Sequence, residues 1–162
     1  MWFLLLLLHK ISCIANPNNL PYIMKNILVL CTGNSCRSQM ADGYLTHFTK
    51  EKATIFSAGI ETHGINQKAV AIMKLDGIDI SNNTSNNISE YAHIKFDYII
   101  TVCDHAQENC PFIPSKNAKR IHQNFSDPSK VKGSEAHIFN AFKKTREHIK
   151  AFCEAFVAEE LN

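Results

Sequence analysis

The sequence has no lysine or arginine block, no histidine tract and no internal repeat. Its N-terminal apolar run, WFLLLLL at residues 2–8, is seven residues long, whereas a transmembrane helix needs about 20. Lysine and arginine number 17 against 15 acidic residues, a net charge of +2. That near-balance excludes the electrostatic footprint of a nucleic-acid binder and favours small ligands over polyanions as partners. What is present, 45% hydrophobic and 20% charged residues over 162 positions, fits one globular domain with a core large enough to fold without staples.

Residues 2–8 lack the positive segment that precedes a secretory signal, and Lys10 lies on the wrong side of the run. Two readings of residues 1–23 stay open: a weak signal, or an extension upstream of a true start at Met24. The domain is placed at residues 24–162. The six cysteines (Cys13, Cys31, Cys36, Cys103, Cys110 and Cys153) include no close-spaced pair of the kind zinc sites use. Reactive thiols in a reducing, cytoplasmic setting are expected.

Along the chain, residues 27–31 form a continuous apolar run, which suits a strand buried on both faces. Met40, Tyr44, Leu45 and Phe48 recur at helical spacing over residues 37–49. Residues 54–58 read as a second strand stopped by Gly59. Residues 66–75 read as a helix closed by Gly77. A short helix is expected near residues 90–93, strands at 96–103 and, more weakly, 118–122, and one long amphipathic helix over residues 134–159. Alternating strands and helices predict an α/β three-layer sandwich around a small four-stranded parallel sheet, with its ligand site at the carboxyl ends of the strands. Cys31 and Cys103 would each end a strand and could meet there.

The informative segment is Cys31-Thr32-Gly33-Asn34-Ser35-Cys36-Arg37-Ser38. A loop wrapping onto a helix N-terminus aims several backbone N–H groups at one point, and the helix dipole adds positive potential. Residues 32–36 would seat a tetrahedral oxyanion and Arg37 would grip it with two donors. The same field is expected to hold Cys31 as a nucleophilic thiolate, with Ser38 donating to its sulfur. Gly33 and Asn34 are expected to supply left-handed backbone. Taken alone, Cys31 would read as a small core hydrophobe; the loop around it reverses that reading.

The segments VLCTGNSCRSQMADG, SAGIETHG, DISNNTS, TVCDHAQENCP and FSDP resemble the arsenate reductases built on the low-molecular-weight tyrosine phosphatase fold, and the likeness runs through nearly all of residues 24–162. Cys103 and Cys110, if joined by helix, have Cα atoms about 10 Å apart, beyond the roughly 7 Å limit of a disulfide. Pairing them would require residues 104–109 to unwind.

The resemblance implies that Cys31 attacks arsenate, Asp127 acts as general acid, Cys103 displaces arsenite by attacking Cys31, and Cys110 then takes the disulfide outward. Thioredoxin, with glutaredoxin as the lesser candidate, would reset it. Without the resemblance, Ser-Asp-Pro at 126–128 reads as an ordinary turn. The resemblance also implies a potassium ion near Asn34, Asp42, Ser57 and Asn86. Here the acidic positions are one methylene shorter (Asp42) and uncharged (Asn86), so weaker cation binding is expected. Cys153 is expected to pack in the core, and His63 and His105 are assigned no metal. The protein is expected to act as a monomer. A phosphatase hydrolysing phosphate monoesters would use Cys31, Arg37 and Asp127 alone; Gln39, where those phosphatases have proline, and the absence of tyrosines after Pro128 argue for the reductase. A non-catalytic oxyanion-binding module has no segment supporting it.

Overall fold

The computed structural model describes residues 24–109, 113 and 115–161. The apolar run at 2–8, Cys13 and Cys110 lie outside the described residues. The elements are β1 (Lys25–Cys31), α1 (Arg37–Thr49), β2 (Ala53–Gly59), α2 (Gln67–Lys74), a 3₁₀ turn at Ile88–Tyr91, β3 (Tyr98–Thr101), α3 (Asp104–Asn109), β4 (Lys119–His122), a second 3₁₀ turn at Pro128–Lys130, and α4 (Glu135–Glu160). The four strands are parallel in the order β2-β1-β3-β4.

Ile27, Leu28, Val29 and Leu30 are all 0% exposed, because β1 is central and both faces of the sheet are covered. Helix α1 buries Met40, Tyr44 and Leu45 against the sheet and α4, which contributes Phe142, Ile149, Cys153 and Phe156. Phe56 of β2 meets Phe96 and Tyr91 edge-on, with ring centroids 5.6 and 5.3 Å apart. Each fully buried side chain of this size contributes about 1.5–3 kcal/mol. Asn66 caps α2, its side chain accepting from Lys68 N and Ala69 N, and Ser134 caps α4 by accepting from His137 N.

The strand order positions the site. From β1 the chain leaves towards β2, and from β3 it leaves towards β4, in opposite directions along the sheet. A crevice therefore opens between the carboxyl ends of β1 and β3. Cys31 closes β1 and Cys103 lies two residues beyond β3.

Two expectations change. The strand expected over 96–103 is only Tyr98–Thr101, since β4 offers partners only from Lys119 to His122. Phe96 instead precedes the strand, its N–H donating to Ser115 Oγ at 3.0 Å. Gly59 does not stop β2; it is its last paired residue, opposite Cys31.

Candidate active site

The turn from β1 into α1 is held by its carbonyls. Those of Cys31, Thr32, Gly33 and Ser35 accept from the N–H groups of Ile60 (3.3 Å), Glu61 (2.8 Å), His63 (3.1 Å) and Asn66 (2.9 Å). In a trans peptide the N–H points opposite the C=O, so these peptides turn their N–H groups away from residues 60–66, as an anion seat requires. Asn34 alone supplies the left-handed corner, with φ of 41°. Its Nδ2 donates to Ser57 O at 3.0 Å, and its Oδ1 accepts from Ser38 Oγ and Gln39 Nε2, each at 2.9 Å.

Two loop expectations are thereby corrected. Ser38 does not donate to the Cys31 sulfur, because its proton is committed to Asn34. Gly33 has no positive φ; a Cβ there would lie 2.4 Å from Nδ1 of the exposed His63 ring, which would have to turn aside.

Gly59, which the sequence pattern marks only as a strand end, packs against the site loop. A Cβ on it would lie 2.2 Å from Glu61 O, 2.6 Å from Thr32 O and 2.8 Å from Asn34 N. All three are backbone atoms, so relief requires the loop to move. Gly59→Ala is expected to destabilise the fold by about 1–3 kcal/mol and to weaken oxyanion binding, measurable by urea unfolding and by phosphate titration.

The loop floors a cavity of about 640 Å³ whose walls include Cys31, Arg37, Cys103, Asp127, His63 and His105. Arg37 donates from one terminal nitrogen to Phe125 O at 3.0 Å and from the other to Asp127 Oδ2 at 2.9 Å. Its Nε is buried and has no partner, a deficit that a bound oxyanion would relieve. The second oxygen of Asp127 accepts from Ser129 N and Ser129 Oγ at 3.0 and 2.6 Å.

Cys31 and Cys103 meet as expected: their sulfurs are 3.5 Å apart and buried. Cys103 is drawn down, first by the hydrogen bond from Cys31 and also by the Thr32 hydroxyl, the Ala106 N–H and Arg37. Cys31 is pushed up, chiefly because its proton is held by Cys103 and because it is buried, with Arg37 opposing. Arg37 lowers both sulfurs, so its field serves the pair, which titrates as a unit. Thiolate absorbance near 240 nm is expected to report one of the two sulfurs already ionised at pH 7. In Cys31→Ala, which has no donor at that position, the Cys103 titration should move upward.

Cys36 is pushed up to about 12 by burial, which makes it a poor nucleophile. Cys153 is 0% exposed and packs in the core as expected.

The four residues of the expected cation set lie together, the Asn34 amide reaching Ser57 O and Asn86 O at 3.0 and 3.5 Å. Asp42, which burial pushes up, accepts hydrogen bonds from Ser57 and Thr46. The Asn34 amide oxygen is taken by two protein donors, and Asn86 spends Oδ1 on Thr84 and Nδ2 on Glu90. Their oxygens are thus hydrogen-bonded within the protein, and Asp42 is the one acid among them. Among the described residues no group of three or more His, Cys, Asp or Glu could hold a metal, and no helix is long and apolar enough to cross a membrane.

A family model described as low molecular weight phosphotyrosine protein phosphatase matches residues 26–162. The chain belongs to that family. Within the phosphatase family its similar relatives include a protein named arsenate reductase from Halalkalibacterium halodurans, 44% identical over 134 residues, 80% of this chain and 96% of that one. Another is arsenate reductase 1 of Staphylococcus epidermidis, 45% identical over 132 residues, with 82% and 95% covered. Among solved structures, an arsenate reductase in its oxidized state superposes with a TM-score of 0.69 at 27% identity, covering 84% of this chain and 98% of its own. The low molecular weight phosphatase of T. tengcongensis gives 0.70 at 22% identity, with 83% and 99% covered, and so shares the family fold.

Proposed function

We propose that the protein reduces arsenate to arsenite through a three-thiol relay. The observation that carries this reading is the 3.5 Å contact between Cys31 and Cys103 at the mouth of an oxyanion loop. A phosphatase has no use for the second sulfur, whereas a reductase needs two electrons within reach of the first.

Arsenate is held by the loop N–H groups and by Arg37, which turns towards it from Asp127. The Cys31 proton passes to the Cys103 sulfur that already accepts it, and Cys31 attacks arsenic. Asp127, once Arg37 has left it, takes a proton from the bound arsenate and gives it to the departing hydroxyl, which leaves as water, because a hydroxide-like group departs poorly unless protonated. Cys103 returns the proton it took to the Asp127 carboxylate through water and, again a thiolate, attacks the Cys31 sulfur. The sulfur–arsenic bond breaks with its electron pair on arsenic, giving arsenite and a Cys31–Cys103 disulfide. Cys110 attacks Cys103, frees Cys31 and leaves a Cys103–Cys110 disulfide, which a dithiol of the thioredoxin type reduces with two electrons and two protons. The resting thiols this cycle needs are maintained in a reducing cytoplasm.

The test is the full chain with arsenate, thioredoxin, thioredoxin reductase and NADPH. Arsenate-dependent loss of NADPH is expected. Hydrolysis of p-nitrophenyl phosphate with no NADPH loss would replace the proposal by the phosphatase reading.

A further inference from the structure

Cys103 is bracketed by a set of contacts that the reaction sequence leaves unused. Thr101, two residues before it, has its hydroxyl 2.8 Å from Nδ1 of His122. Asp104, the residue after it, has Oδ1 3.0 Å from Nε2 of the same ring. Asn124 Nδ2 donates to the other oxygen of Asp104 at 2.6 Å. A carboxylate only accepts, so Nε2 carries the proton and, in the neutral ring, Nδ1 accepts from Thr101. One imidazole on β4 thus ties the chain on both sides of Cys103.

We infer that His122 and Asp104 are positioning residues: the Thr101–His122–Asp104–Asn124 brace fixes the Cys103 backbone so that its sulfur stays in contact with Cys31. This rests on the proposed attack of Cys103 on Cys31. Two sulfurs 3.5 Å apart need to close by only about 1.5 Å to reach disulfide length, so the brace can stay intact as the bond forms. It raises the effective concentration of one thiol at the other. Oxygens of Thr101 and Asp104 lie on the ring's two nitrogens, so losing the ring frees both flanks at once.

The consequence is readable without arsenate. In the full chain carrying Cys110→Ser, which stops onward transfer, Cys31 and Cys103 give up two protons and two electrons to oxidised glutathione, which becomes two glutathione thiols. The equilibrium is followed by peptide mass spectrometry of the 31–103 linkage. His122→Ala and Asp104→Ala are each expected to lower the equilibrium constant for this disulfide about tenfold, about 30 mV for a two-electron couple. Asp104→Asn keeps an oxygen for the ring and, with the Asn124 amide turned over, should recover most of the loss. A general loosening of the fold would show no such rescue. If either alanine variant fails to fold, Thr101→Val removes one end of the brace at nearly constant volume and should produce the same shift. Equal constants within twofold across the folded variants would overturn the brace while leaving the relay standing. Failure of the Cys110→Ser chain to form the linkage at all would overturn the relay and the brace with it.

Discussion

Cys31→Ser is expected to cut arsenate turnover by about 10⁴-fold or more, to the background of the assay. A serine hydroxyl is not ionised at neutral pH and can form no disulfide. Both proposed covalent roles of residue 31 are lost together, as nucleophile and as relay member. Cys36→Ser is the matched comparison. Cys36 is equally inside the loop, but its thiol is pushed up to about 12 by burial and nothing in the cycle draws on it, so turnover should change less than about threefold. A large loss in Cys36→Ser alongside a mild one in Cys31→Ser would reverse the roles assigned to the two thiols.

Arg37→Lys is expected to reduce kcat/KM for arsenate by roughly 10²–10³-fold, although the charge is kept. The guanidinium spends its terminal nitrogens on Phe125 O and Asp127 and keeps a buried Nε without a partner. An ammonium offers a point charge on a flexible stem and cannot span those directions. It also leaves Asp127 without its ion pair at 2.9 Å. Steady-state kinetics with arsenate as the varied substrate decide it, and a loss below tenfold would mean that charge alone is being used.

The features legible in the sequence were those written in local spacing. Met40, Tyr44, Leu45 and Phe48 bring out α1, which spans Arg37–Thr49 as expected. The strand, loop and helix order around Cys31 was legible for the same reason, and parallel topology then brought Cys103 to it. The extent of β3 was not, because an apolar run does not say where the neighbouring strand ends. Nor was the role of Gly59, whose constraint is the distant Thr32 carbonyl and Asn34 N–H. The charge on Cys103 depends on Thr32 and Ala106 across space, and a motif that names only Cys31 carries no trace of it. The same holds for Ser38, whose hydroxyl goes to a left-handed asparagine rather than to sulfur. His122 offers no sequence signal at all, since a lone histidine on a short strand is usually a solvated side chain.

Central to the account is that oxidation passes from Cys31 to Cys103 within one chain. Reduced Cys110→Ser protein mixed with excess arsenate and quenched in acid, without thioredoxin, measures this directly. One arsenite released per chain and a Cys31–Cys103 linkage in equal amount are expected, with no second turnover. Arsenite release with both sulfurs still free, or continued turnover in that variant, would contradict it.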